Sequence, residues 1–460
     1  MTSTRTAALA AIPLALALTL TACSSGDGDD AAASDGPVEL TVSIDEGLEA
    51  DALAAIDDRI AQFEDENPDI TVTTQEYTWT GTTFAAQLAG GTLPDVFVVP
   101  FTDGRGLIER GQIADVSGLV DELPWADGLN QNVAEAGQDA DGDQWAVPIA
   151  AYGQGLHYNR TLFTQAGLDP DSPPTTWDEV REDARAIADA TGQAGYAQMT
   201  QSNTGGWILT TLVYALGGRV EDVGGDGADD TVTATVDTDQ MKDALTYLHD
   251  LRWEDDSMGA NFLYDWSSIN QDFAAGKIGM YVSGGGNYGN LFTQNAMNPD
   301  DYGVTVIPLE GDDAGVLGGG TLAAVSATAS AAEQAAAVRW IDFYYMQKLT
   351  DQDAAVLDAK TTAESGQPVG APQLPIFDQA TYDEQQGWIS EYVNVPLDQM
   401  TPYTDAIFDQ PLLAEPGVAT QEVYAALDPV VQTVLTQENA DIDQLVADAQ
   451  TSVESILARQ

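Results

Sequence analysis

Cysteine is almost missing from this chain: Cys23 is the sole one among 460 residues, so no disulfide can form within it. Histidine is nearly as scarce. His157 and His249 lie far apart and have no cysteine at metal-ligand spacing, which argues against zinc and against histidine-based catalysis. Basic residues are few, with 15 Lys and Arg against 74 Asp and Glu and a formal net charge of −59. Nucleic acid and anionic lipid surfaces repel such a chain, so neither is expected as a partner. The acidity reads as surface solvation, with a cationic ligand as the minor alternative. Neither a nucleophile elbow nor a zinc motif occurs, which removes several common hydrolases. What remains is ordinary for a folded protein: 44% hydrophobic, 19% charged and 8% aromatic residues. The length suits two or three cores.

The N-terminus is set apart. Arg5 supplies a positive start and Ala7 to Leu20 an apolar stretch, short for a membrane span of about 20 residues. It ends in Leu20-Thr21-Ala22-Cys23, which resembles the bacterial lipobox, whose Cys is lipidated. Residues 1–22 therefore read as a lipoprotein signal peptide, Cys23 as the lipidation site, and the acidic 23–36 as a flexible tether. The expected location is the extracellular face of the cytoplasmic membrane.

From Val38 the pattern reads β-α-β-α-β, the signature of a parallel sheet covered by helices. Val38 to Ile44, Ile70 to Thr74 and Val96 to Val99 are the strands; Leu48 to Phe63 and Thr82 to Ala89 are the helices. Further on, Trp145 to Ile149 reads as a strand, Gly153 and Gly155 as a crossing, and Leu156 to Tyr158 as a second strand. Asn159 precedes a helix, Arg160 to Ala166, stopped by Gly167; Thr175 or Thr176 caps another that opens with Trp177. Helices are also expected over Trp207 to Leu216 and Met241 to Leu251, and Tyr302 to Pro308 reads as a strand returning to the first lobe. No internal repeat of fixed period is present.

Between Pro148 and Glu179 the order Pro148, Tyr158-Asn159, Leu162-Phe163, Gly167-Leu168, Pro174-Thr175-Thr176-Trp177-Asp178-Glu179 resembles the extracellular solute-binding proteins of ABC importers. The resemblance is to the carbohydrate-binding family that includes maltose-binding protein. Gly90-Gly91-Thr92-Leu93-Pro94-Asp95-Val96 and Phe273-Ala274-Ala275-Gly276-Lys277 through Met280 match two further elements of it. The resemblance implies an α/β, two-lobed periplasmic-binding-protein type II (Venus flytrap) fold with lobes joined by hinge crossings. The first lobe would comprise 37–148 and 304–350, the second 149–303 and 351–460. It implies a monomer that is not an enzyme, takes no cofactor or metal, captures a sugar and hands it to an ABC permease. A binding protein for a polyamine or peptide is the alternative; an anchored glycan hydrolase is a weaker one.

Sugar sites want flat aromatics to stack on and polar groups for the hydroxyl rim. Trp79, Tyr152, Trp207 and Trp266 fall in loops, Gly-bounded stretches or helix starts, where core packing explains them less readily; Trp177, Trp253 and Trp340 sit on helix patterns and read as packing. The resemblance adds Asp103 with Phe101 and Thr102 in the loop after Val99, Gln154 beyond Tyr152, and the turn Gly285, Gly286, Asn287. The family commonly carries a Trp in that turn, and its absence here leaves more room. Asp95 is either a ligand carboxylate or a turn residue. Glu46 and Gly319 complete the candidates. Tyr344-Tyr345 lies inside a helix, one ring packing and one facing out.

Overall fold

A computed structural model describes residues 36–48, 50–224 and 231–459. The leader, the Cys23 lipidation site and all of the tether but Gly36 fall outside the described residues. The opening units are β1 (Val38–Ile44), α1 (Ala50–Glu66), β2 (Ile70–Glu76), α2 (Gly81–Gly90) and β3 (Val96–Pro100). β1 and β2 pair in parallel from Val38↔Ile70 to Ile44↔Glu76. Leu40, Val42, Ile70 and Val72 bury alternate positions against Phe63 of α1, as the period-two pattern requires.

Phe101, Thr102 and Asp103 do not form a loop. They are the first turn of α3 (Phe101–Glu109), with Pro100 as its N-cap and Asp103 in the dipole-favoured first turn. Gly104 misleads a sequence reader: it is present because a Cβ there would collide with Leu322 and the Ala136 carbonyl.

β4 (Val147–Asn159) is the second departure, since it is one unbroken strand of 13 residues and not strand, crossing, strand. The glycines change its neighbours, not its course. A Cβ on Gly155 would sit 3.3 Å from both the Thr305 carbonyl and the Tyr403 ring, so a side chain there would force β9 or Tyr403 to give way.

The chain continues through α4 (Arg160–Ala166), α5 (Trp177–Thr191), β5 (Ala194–Tyr196), α6 (Thr204–Ala215), the hairpin β6 (Glu221–Gly224) and β7 (Thr231–Ala234), and α7 (Asp239–His249). Asn159 and Thr176 cap α4 and α5 through Leu162 N and Glu179 N. Then come α8 (Trp266–Ala274), β8 (Ile278–Gly284), α9 (Tyr288–Asn295), β9 (Tyr302–Val306), β10 (Val316–Val325) and α10 (Ala331–Ile341). α11 (Gln352–Glu364), α12 (Gln379–Ile389), β11 (Leu412–Ala414), α13 (Thr420–Thr436) and α14 (Ile442–Leu457) close it.

The main sheet runs β2-β1-β3-β10-β4-β8-β5, with β11 beside β10 and β9 beside β4. β10 pairs antiparallel with Val147 to Gly153 of β4, and β9 takes over along Gly155 to Asn159. β8 pairs with Gln154 to Tyr158 on the other side. β9 therefore stays with the distal half of β4, and the return across the sheet is made by β10. One core gathers Leu40, Phe63 and Trp340; a larger one runs from Phe97 through Leu156 to Leu245 and Leu427, where α13 and α14 pack on α6 and α7. Trp388 packs on a small third cluster with Ala355, Ala359 and Ile389. Tyr344 and Tyr345 are both partly buried, Tyr344 stacked on Trp340 at 4.8 Å, so neither ring simply faces out.

Candidate functional site

Four elements meet beside the middle of β4. Tyr152 comes from the strand itself, where Gly319 of β10 lies opposite. A Cβ at Gly319 would sit 3.0 Å from the Tyr152 hydroxyl oxygen, so a side chain there would push the Tyr152 ring aside. Trp207 comes from the first turn of α6, which starts at Thr204 rather than at Trp207 itself.

That helix start is unusual. Ser202 and Asn203 have positive φ of 60° and 67°, and Asn203 makes no side-chain cap. Asp428 of α13 caps the helix from outside, accepting from Asn203 N and Gly206 N at 2.8 Å each. A side chain at Gly206 would collide with the Tyr424 backbone, so the close approach of α6 to α13 depends on that glycine. Trp207 is thereby fixed edge-on to Tyr152, centroids 6.5 Å apart.

Trp266 opens α8, whose N-cap Asp265 accepts from Ser268 N at 2.8 Å; the indole is 39% exposed. Asn287 heads α9 and is buried. Its Nδ2 donates to Asn270 Oδ1 at 2.8 Å and to the Tyr281 hydroxyl at 2.9 Å, which fixes the amide and leaves its carbonyl oxygen available. Beneath the turn, His157 is fully buried and pushed down to about 4 by desolvation, hence neutral. Its Nε2 donates to the Gly284 carbonyl and its Nδ1 accepts from the Tyr302 hydroxyl, both at 3.0 Å. His157 is a structural residue, as its strand position suggests.

Tyr152, Trp207, Trp266 and Asn287 line a cavity of about 390 Å³, completed by Ala151, Ser283, Gly284, Gly286, Asn290 and Gln373. None of its lining residues is charged. Trp207 Nε1, Ser283 Oγ and Asn290 Nδ2 are buried without a hydrogen-bond partner. Buried donors of this kind are costly when unpaired, so the site holds unspent hydrogen-bonding capacity. A second cavity of about 380 Å³ adjoins it across Ala151 and Gln373, toward α11 and α12.

The remaining sequence candidates sit elsewhere. Gly285 lies under the turn, donating to the Gly153 carbonyl at 2.8 Å, with the Tyr403 ring where a Cβ would go. Gln154 is wholly buried one pleat beyond Tyr152, both its amide atoms unpartnered. Trp79 packs on Phe84 at 5.1 Å and faces Asp103, which Thr102 Oγ1 also bonds at 3.1 Å. Burial raises the Asp103 carboxyl above its ordinary range. This pair meets but does not line the cavity. Asp95 is a turn residue here, its Oδ2 accepting from Thr41 N at 2.8 Å to tie β1 to the start of β3. Glu46 is exposed and off the cavity.

Sequence reasoning missed Ser283, Asn290, Gln373 and Glu415. The first two flank the Gly284–Gly286 turn, so the turn was their available signal. Gln373 lies on an irregular stretch between α11 and α12 and carries none. Glu415 follows β11 and is half-buried behind the Tyr152–Trp207 pair. The Tyr424 hydroxyl donates to its Oε1 at 3.3 Å; the Tyr152 hydroxyl and Trp207 indole face the same carboxylate with poorer geometry. Burial raises its pKa, and those donors pull the other way.

A long mixed sheet with helices about both halves, and an aromatic cavity beside the shared strand, defines a two-lobed α/β binding protein of the periplasmic type. The profile of bacterial extracellular solute-binding proteins matches residues 46–348. The chain belongs to that family. It is 30% identical over 216 residues to the ABC transporter periplasmic-binding protein YcjN of Escherichia coli, covering 44% of this chain and 46% of that protein. It is 26% identical over 174 residues to the sn-glycerol-3-phosphate-binding protein UgpB of Pectobacterium atrosepticum, covering 36% and 37%. The chain thus spans less than half the length of these curated relatives. Among solved structures, the cyclic alpha-maltosyl-1,6-maltose binding protein of Arthrobacter globiformis superposes with a TM-score of 0.67 at 25% identity, covering 92% of this chain and 100% of that one. Mycobacterium tuberculosis UgpB in complex with glycerophosphocholine shares the fold, with a TM-score of 0.64 at 19% identity over 92% and 99%.

Proposed function

We propose that this chain is the sugar-capturing component of an ABC importer, a monomer held at the outer face of the membrane by lipid on Cys23. The observation that carries the ligand class is the cavity itself. Tyr152, Trp207 and Trp266 offer rings for the weakly polar faces of a sugar, while Ser283, Asn287 and Asn290 offer uncharged groups for its hydroxyls. The Arthrobacter neighbour, named for a maltose-containing glucan, supports the same class. The relatives named for sn-glycerol 3-phosphate raise phosphate esters as a second class. The lining speaks against it, since no Lys, Arg or His is among the cavity residues.

In this reading the lobes are 37–148 with 304–350 and 149–303 with 351–460, and β4 is the hinge. Trp79 and Asp103 stand on the first lobe as the counterpart that closure brings toward the cavity. The ligand favours the closed form because both lobes then contribute contacts, and that form docks on the permease. The sugar leaves unaltered.

Calorimetric titration of residues 24–460 against mono- and oligosaccharides, with spermidine and a peptide mixture as controls, tests the reading. Binding of one sugar class, recovered unchanged, is expected. Tyr152→Ala and Trp207→Ala each weaken it more than tenfold, about 1.4 kcal/mol or more, with the fold intact by circular dichroism. Undiminished affinity in both variants refutes the site; heat from a control alone refutes the ligand class.

A further inference from the structure

Glu415 is the ionisable group set against the aromatic face of the cavity. It lies one side chain behind the lining: Tyr152 and Trp207 both line the cavity and both turn their polar atoms toward its carboxylate. Tyr424, buried beneath, donates to it at 3.3 Å. Among the described residues no cation forms an ion pair with it. Arg219, which acts on the neighbouring Tyr214, lies over its ring at 5.2 Å and donates to the Gly218 and Asp313 carbonyls at 2.6 and 3.1 Å. The cavity lining is itself uncharged. An anionic ligand entering there gains no counter-charge and meets a carboxylate across one ring in a poorly solvated setting, where Coulomb repulsion is weakly screened. A neutral ligand pays no such penalty and can still use the unspent donors.

Building on the sugar reading, we propose that Glu415 is a specificity-determining residue that makes the cavity accept uncharged sugars and reject their phosphate esters. It acts through charge and through the rings it orients, without touching the ligand.

The test is calorimetric titration at pH 8 of glucose, maltose and maltotriose against glucose 6-phosphate, maltose 6′-phosphate and sn-glycerol 3-phosphate. The wild-type protein should bind a neutral sugar at least a hundredfold more tightly than its ester. Glu415→Gln keeps an acceptor for Tyr424 and removes the charge; it should narrow that ratio at least fivefold while moving the neutral sugar's Kd less than threefold. Glu415→Asp keeps the charge and should preserve the ratio, which a purely packing role would not predict. Circular dichroism confirms that both variants fold. An ester bound as tightly as its sugar, or an unchanged ratio in Glu415→Gln, overturns the proposal while leaving sugar binding in place. Silence from every neutral sugar instead overturns the sugar reading and this proposal with it.

Discussion

Glu221 should make the protein lose stability as pH rises through the neutral range. It stands at the start of β6, only 7% exposed. Its Oε2 accepts from Val418 N at 3.2 Å, while its Oε1 is buried without a partner. Desolvation pushes its carboxyl up to about 7 from its ordinary 4.5. A pKa raised in the folded state means the native protein holds the proton more tightly than the unfolded chain. The associated stability is fully present below pH 4.5 and is lost as pH climbs through 7. The shift corresponds to at most about 3 kcal/mol, a large fraction of a typical folding free energy of about 5–15 kcal/mol. Glu221→Gln removes the ionisation and keeps an acceptor for Val418. Urea unfolding followed by tryptophan fluorescence at pH 4.5, 5.5, 6.5 and 8 should show a stability difference between variant and wild type that grows with pH in the variant's favour, reaching about 3 kcal/mol. A difference that is the same at every pH refutes the reasoning.

Two further outcomes follow from groups that hold the cavity in place. Asp428→Ala strips the cap from α6 and leaves the Asn203 and Gly206 N–H groups unpaired, so urea unfolding should show a loss of about 2 kcal/mol, accompanied by a shift in Trp207 emission. His157, pushed down to about 4 from 6.5, carries the opposite pH sign: its contribution is present above pH 6.5 and is lost as pH falls through 4. Unfolding curves of His157→Gln should therefore be flatter than wild type between those values, by about 3 kcal/mol, and an unchanged acid limb would count against a neutral buried imidazole.

Local chemistry was legible where the signal is local. Asn159 and Thr176 announce their helices because a capping side chain reaches only three residues ahead, and the β-α-β-α-β opening follows from periodicity alone. The site was half-legible. Tyr152, Trp207 and Trp266 could be named because aromatics in loops, beside glycines or at helix starts lack a packing rationale, and Gly286 and Asn287 because the family resemblance pointed to their turn. Trp79, named on the same ground as those aromatics, and Asp103, named from the resemblance, meet one another away from the cavity, since sequence marks a side chain as unusual without giving its direction. What could not be read depends on distant partners. Asp428 caps a helix 225 residues earlier, and Glu415 faces Tyr152 and Trp207 only because α13 and β11 pack where they do. Gly153 and Gly155 look like breaks because a glycine signals freedom and close approach with the same letter.

The unbroken course of β4 has a mechanical meaning. A strand clamped by β10 along its first half and by β8 and β9 along its second behaves as a shaft fixed at both ends. Rotation at one end would reach the other as twist along a ladder that carries one register shift, where Ile149 is left out opposite Thr321 and Leu322. The clamping partner changes between Gly153 and Gly155, where Gln154 is the one side chain on the strand, directly beyond Tyr152. If the proposed site and hinge hold, a ligand set against the Tyr152 ring would press on the strand where its clamping partner changes, so binding and bending would share the same few residues.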